Sequence, residues 1–269
     1  MPTQLACLIM EVLQERGLSR ASLLAGTGIR PVLLEQEETY LTYRQYLSLV
    51  NNSLALSGIP DLGLIVGRRE NVSTWGILGY AVMSSATYRE AFRTGLQFHT
   101  AASGMLLLRA REEGDQVCLS LEAPIPLGDA LPFCVEEMVA GITTVFRASI
   151  GDGIRPRRLR VTYDRPDYAE RYAELLRCPV EFGQCANEFW VDAPDDRPLP
   201  QADPITARMC RKLVEEMLDK HGVEEDLVRE VRRIILRTPG QIPDMESVAD
   251  ELGISSRSLR RGLDAYGTS

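Results

Sequence analysis

A single stretch, residues 192–204, sets the limits on what this chain can become. It holds four of the fifteen prolines among a run of aspartates, and proline removes a donor and clashes with the preceding helical turn. No long helix runs through it. Before it, helical and strand-like patterns alternate. After it, the pattern is helical throughout. A domain boundary is predicted there, giving a first domain over 1–200 and a second over 205–269.

The first domain begins with a helix over 4–16, where Leu5, Leu8, Ile9 and Val12 share one face and Gly17 terminates it. A short helix follows near 19–25. Thr42 caps the next, which runs to about Leu56 before Ser57-Gly58-Ile59-Pro60. Residues 61–100 read as helical, with a capping box expected between Thr87 and Glu90. Two strand-like runs, 104–111 and 115–122, flank a turn at Glu113-Gly114-Asp115. In the second, Val117, Leu119 and Leu121 alternate with Cys118 and Ser120. A long helix over 129–150 comes next. Then come a strand with Leu159, Val161 and Tyr163 alternating, a helix capped by Asp167 and ended by Cys178-Pro179, and two strands around 180–182 and 188–191. The predicted class is an α+β domain, with a helical N-terminal lobe and a small mixed sheet, followed by an all-α domain with helices over 205–220, 224–237, 245–252 and 256–265.

Net charge is −8, but residues 204–269 carry only −1 of it and residues 1–203 carry −7. Near the C-terminus Arg257, Arg260 and Arg261 cluster, and local charge is what phosphate feels across a screening length of about 8–10 Å. The segment from Met245 to Tyr266 meets the demands of a helix-turn-helix. Ala249 is small where two helices cross. Gly253 tolerates the turn. Val248, Leu252, Ile254, Leu259 and Leu263 supply the apolar contacts, and Ser255 or Ser256 caps the second helix. That helix then presents Ser256, Arg257, Ser258, Arg260 and Arg261. Arginine suits guanine edges in the major groove, so Arg257 and Arg261 are assigned to bases, and Ser256 and Arg260 to the backbone. The same spacings also fit an ordinary helical bundle with a solvated arginine face.

The stretch S-V-A-D-E-L-G-I-S-S-R-S-L-R-R-G-L-D-A-Y-G-T-S resembles the first helix-turn-helix of AraC-family transcription regulators. The helix over 224–237 resembles the one that opens that family's DNA-binding domain. Gly262 and Asp264 depart from the usual recognition helix. The segments Gly76–Phe92 and Val180–Pro204 resemble the arabinose-binding-like sensor domain of the ornithine-utilisation and quorum-sensing type. The resemblance implies a ligand-responsive regulator: an unidentified small-molecule effector, promoter DNA and a second copy as partners, and no enzymatic activity or cofactor. The family's second helix-turn-helix is not among these residues, so weak operator binding by this chain alone is expected. The alternative is a ligand-binding, dimerising module without specific DNA binding of its own.

The effector is expected in a pocket between sheet and helices, with Trp75, Tyr80, Phe98, His99, Phe182 and Trp190 as candidate contacts. Each also fits plain core packing, and His99 in particular reads as a hydrogen-bonded histidine. Arg68 and Arg69 could hold a carboxylate or form a solvated pair. Glu136-Glu137 and Glu112-Glu113 are adjacent pairs whose side chains diverge. No nucleophile elbow, phosphate loop or dinucleotide fingerprint occurs. The six cysteines lack a C-x-x-C pair and, with only two histidines, suggest reduced buried thiols and no metal site. No membrane span or signal peptide is read, so a cytoplasmic location is expected.

Overall fold

The computed structural model describes residues 3–34, 41–99, 105–124, 126–150, 154–218, 244–252 and 255–265. They belong to two compact units, Met1–Val214 and Glu215–Ser269.

The first unit opens with α1 (Thr3–Gln14), which buries Leu5, Leu8, Ile9, Val12 and Leu13. The chain turns at Gly17, whose φ of 87° only glycine adopts cheaply. The hydroxyl of Ser19 caps α2 (Arg20–Leu24). A reciprocal box between Thr42 and Gln45 starts α3 (Tyr43–Ser57), so both first-turn donors there are satisfied.

The predicted helical stretch over 61–100 is three helices, α4 (Leu62–Arg69), α5 (Gly76–Met83) and α6 (Tyr88–Phe98). Side chains compete with the helical ladder at both breaks. The carboxamide oxygen of Asn71 accepts from the backbone of Ser73 and Thr74. The Ser84 and Ser85 hydroxyls turn back to the carbonyls of Tyr80 and Ala81. Only half of the box expected at Thr87 forms. Its hydroxyl accepts from Glu90 N at 3.3 Å, while the Glu90 carboxylate takes Ala86 N at 3.0 Å and pairs with Arg211.

Strands β1 (Leu107–Glu113) and β2 (Gln116–Glu122) form the expected hairpin about Gly114. With β3 (Pro156–Arg160), β4 (Val180–Glu181) and β5 (Glu188–Asp192) they make a mixed sheet in the order β1-β2-β5-β3-β4. The β3–β4 pair is parallel. β3 ends at Arg160, so Val161 and Tyr163 lie beyond it. Between β3 and β4, α8 (Glu170–Leu176) starts after a turn at 167–169, with no side-chain cap from Asp167. It ends on Arg177, held at φ 56°, rather than on Cys178-Pro179.

The long α7 (Leu131–Ile150) packs against α4 with the two backbones almost touching. A Cβ on Gly63 would lie 2.5 Å from the Phe133 carbonyl, and one on Gly67 would lie 2.5 Å from that of Glu137. Glycine at both positions is what permits the approach.

Residues 193–203 form a strap along the α5–α6 junction. Tyr88 N donates to Arg197 O at 3.0 Å and Arg89 N to Asp195 O at 2.9 Å. Leu199 N donates to Ala86 O at 3.2 Å and Asp203 N to Ser84 O at 2.9 Å. The Asp203 carboxylate then accepts from Ile205 N and Thr206 N and caps α9 (204–218). Pro204 takes the first helical position, where a missing N–H costs nothing. Ala207 and Val214 are buried, while Ile205, Met209 and Leu213 stand exposed.

In the second unit, Asp244 caps α10 (Met245–Glu251). Ser255, not Ser256, caps α11 (Ser256–Ala265), accepting from Ser258 N at 3.1 Å. Val248, Ala249, Leu259 and Leu263 are buried together with Met245 and Leu252 beside them. The helix expected over 224–237, Gly253, Ile254 and Tyr266 lie outside the described residues.

All six cysteines are free. Cys118, Cys134 and Cys178 are buried as expected, but Cys185 is exposed, because it sits in the turn between β4 and β5. Among the described residues no single helix is long and apolar enough to cross a membrane.

Candidate functional site

The first unit holds a cavity of about 50 Å³ between its helices and its sheet. One water needs about 10–15 Å³ on the same measure, so the space exceeds a single solvent molecule. The sheet contributes Leu108 and Leu119. The helical walls include Leu78, Phe92, Gly95, Met138, Ile142 and Phe146. Trp75 meets Phe146 edge to face, with centroids 6.1 Å apart. The lining is apolar except for a few groups, chiefly Glu70, Glu137, Thr74 and His99.

Glu70 closes α4 and Glu137 lies mid-way along α7. Both are buried, at 5% and 4% exposure. Trp75 Nε1 donates to Glu70 Oε2 at 2.7 Å. Glu70 Oε1 has no hydrogen-bond partner among the described residues. Burial, the neighbouring Glu137 charge and a hydrogen bond from one carboxyl to the other hold Glu70 well above the ordinary carboxylate range. Burial also raises Glu137. Two buried carboxylates cannot both ionise cheaply, so the pair retains a proton at neutral pH. Gly141 makes room for the arrangement, since a side chain there would collide with the Glu70 carboxyl.

His99 is fully engaged. Its Nδ1 lies 2.9 Å from Leu96 O and its Nε2 accepts from Leu108 N at 3.1 Å, which fixes the neutral tautomer with the proton on Nδ1. Burial lowers its pKa. His99 ties α6 to β1.

Of the six candidate contacts read from the sequence, Trp75 and His99 line the cavity. Tyr80 is 42% exposed. Phe98 is buried but is not part of the lining. Phe182 packs edge-on against Tyr172 at 5.6 Å. Trp190 lies on β5 beneath the guanidiniums of Arg158 and Arg111, at 4.6 and 5.8 Å. Arg69 pairs with Glu15 at the surface.

The adjacent Glu136 and Glu137 do diverge. Glu136 turns towards α8 and accepts from the hydroxyls of Tyr168 and Tyr172. The sequence reading did not single out Glu70 and took Glu137 only as half of a diverging pair; the available signal was that pair in the first half of a largely apolar 20-residue helix.

On α11, Arg257 and Arg260 are exposed, and Ser256 and Ser258 are half-buried. The Ser258 hydroxyl lies 2.9 Å from that of Ser255. The side chains of Arg261 and Asp264 and the surroundings of Gly262 lie outside the described residues.

Residues 17–198 match the family model described as the arabinose-binding domain of AraC transcription regulators, N-terminal. The ornithine utilization regulator of Pseudomonas aeruginosa is 34% identical over 99% of this chain and 79% of its own length. The regulator VirS of Mycobacterium tuberculosis is 27% identical over 96% of this chain and 76% of its own. The crystal structure of the transcriptional regulator CdpR from Pseudomonas aeruginosa shares the fold, with a TM-score of 0.55 and 18% identity over 97% of this chain and 79% of that one. With a family model covering most of its length and a curated regulator related along nearly all of it, the chain belongs to the AraC family of transcription regulators, in the group that carries an arabinose-binding-type N-terminal domain.

Proposed function

We propose that this chain is a ligand-responsive regulator. Its first unit binds a small molecule in the cavity between α6, α7 and the sheet. Its second unit offers α11 to the major groove as the second helix of a helix-turn-helix. The observation that supports the first statement best is the cavity itself: an apolar, aromatic-walled space with a few convergent polar groups is the usual form of a small-molecule site. The exposed apolar stripe of Ile205, Met209 and Leu213 on α9 favours a homodimeric regulator.

Gly95 supplies the test. A Cβ there meets its nearest neighbour, Phe146, at an ordinary 3.5 Å, so the fold accepts the first atom of a side chain at a position that lines the cavity. A ligand at a hundred times its dissociation constant stabilises its site by about 2.7 kcal/mol, which thermal melts detect in a metabolite screen. Gly95→Leu is expected to fold normally and abolish the shift. A shift that survives Gly95→Leu places the ligand elsewhere.

For DNA, Arg257→Ala and Arg260→Ala are each expected to weaken binding to a duplex selected from a random-sequence library. The phosphate-binding arginine should also lower the salt slope by about 1. Two variants with unchanged affinity and slope would remove α11 from the interface.

A further inference from the structure

We propose that the small molecule is an organic cation, an amine whose ammonium group sits against Glu70 and Glu137 while its apolar body rests on Trp75, Phe92 and Phe146. This rests on the reading of the cavity as the ligand site and goes beyond it in naming the chemical class.

The geometry argues for it in three ways. First, two carboxyls from different helices converge on one otherwise apolar space. Second, no N–H donor among the described residues reaches the buried Glu70 Oε1, so once the shared proton has left it the oxygen needs a donor from outside the protein. A ligand N–H satisfies it. Third, the described lining residues supply no counter-charge. His99 is the one basic residue among the described lining residues, and both its ring nitrogens are occupied. An anionic ligand would face two carboxyls, and a neutral one would leave their electrostatics unanswered. The Trp75 indole is positioned to serve twice, as donor to Glu70 through Nε1 and as an aromatic wall, and aromatic faces also attract ammonium groups.

A proton held by the pair in the empty cavity leaves when the cation enters, because the ligand's charge favours both carboxylates. The ammonium group keeps its own proton, as simple amines titrate near about 10. Affinity therefore rises with pH across the neutral range. The other titratable groups around the pair are Tyr46 on α3, Cys134 and Glu136 on α7 and His99 after α6. Burial raises Tyr46 and Cys134 well out of that range. Glu136 faces Tyr168 and Tyr172 instead of the cavity, and His99 is held neutral. The difference between wild type and Glu137→Gln isolates the pair.

The test uses ethylamine and n-butylamine, each against the alcohol and the carboxylate of the same skeleton. Calorimetry and tryptophan fluorescence are run on the full chain and on Gly95→Leu, Glu137→Gln and Glu70→Gln. The amines are expected to bind at least about tenfold more tightly than the alcohols, with the carboxylates weakest. Amine affinity should rise by about tenfold from pH 6 to pH 8, with release of a proton into buffer. Glu137→Gln or Glu70→Gln should erase both the preference and the pH dependence while leaving alcohol binding in place. Equal binding of amine, alcohol and carboxylate, all lost in Gly95→Leu, overturns the cation proposal and leaves the cavity reading standing; the pair then simply shares its proton. Failure of all six compounds to bind in a manner sensitive to Gly95→Leu overturns both.

Discussion

Valine in place of Gly67 is expected to remove about 3 kcal/mol or more of stability from the first unit, at the upper end of what overpacking costs, or to prevent its folding. The nearest atoms to the new Cβ would be the Glu137 carbonyl at 2.5 Å and the Ala140 Cβ at 2.6 Å. A backbone carbonyl cannot rotate aside as a flexible side chain can, so α4 and α7 must separate along their length. Gly95→Ala is the matched control. Its Cβ meets only an ordinary contact at 3.5 Å within a helix, where alanine is favoured over glycine by about 0.5–1 kcal/mol. Urea midpoints for the two variants should move in opposite directions, the first far more than the second. A Gly67→Val protein as stable as the parent would mean that the helices are not held in backbone contact.

The second large effect is a dependence of stability on pH centred on Glu136. Burial pushes its pKa to about 7 from an ordinary 4.5, against the lowering effect of the Tyr168 and Tyr172 hydroxyls and with a further small push from Asp61. The folded state thus binds the proton more tightly than the unfolded chain. Stability from this group is complete below pH 4.5 and is lost as pH rises towards 7. Each pH unit of that gap is worth about 1.4 kcal/mol, so the loss attributable to Glu136 is about 3 kcal/mol. Glu136→Gln keeps an acceptor for the tyrosines and removes the ionisation. The two pH profiles should run parallel below about pH 4 and diverge above it, with the variant gaining about 3 kcal/mol relative to the parent by pH 8. Any constant cost of the amide cancels in that difference. Identical pH profiles for variant and parent would show that Glu136 ionises without penalty.

Local structure was legible in the sequence wherever a short-range signal sets it. The apolar face of α1, the Thr42 cap and the Gly114 hairpin could all be read from neighbouring residues. Misreadings occurred where a distant partner decides. Glu90 was expected to close its own box, but it shares its carboxylate between Ala86 and Arg211, which arrives from more than a hundred residues away. Asp167 looked like a cap and is not one, because the chain makes a turn before α8 begins. The cavity was legible only as an expectation of aromatic lining. Trp75 and His99 were found; Phe182 and Trp190 are equally aromatic but pack elsewhere. Glu70 and Glu137 lie 67 positions apart, and nothing local tells that α4 and α7 will bring them together. That convergence depends on Gly63 and Gly67, whose meaning emerges only when the facing helix is known.

The glycine seam between α4 and α7 also bears on how such a sensor can change its preference. Glu70 and Glu137 ride on two helices whose separation admits not even one added methyl at Gly63 or Gly67, so the backbones that carry the two carboxyls are held at a fixed spacing. Leu78, Phe92 and Gly95 stand on α5 and α6, away from the seam. On the proposed reading of the cavity, a descendant of this chain is free to reshape the tail of its ligand while the head is inherited unchanged.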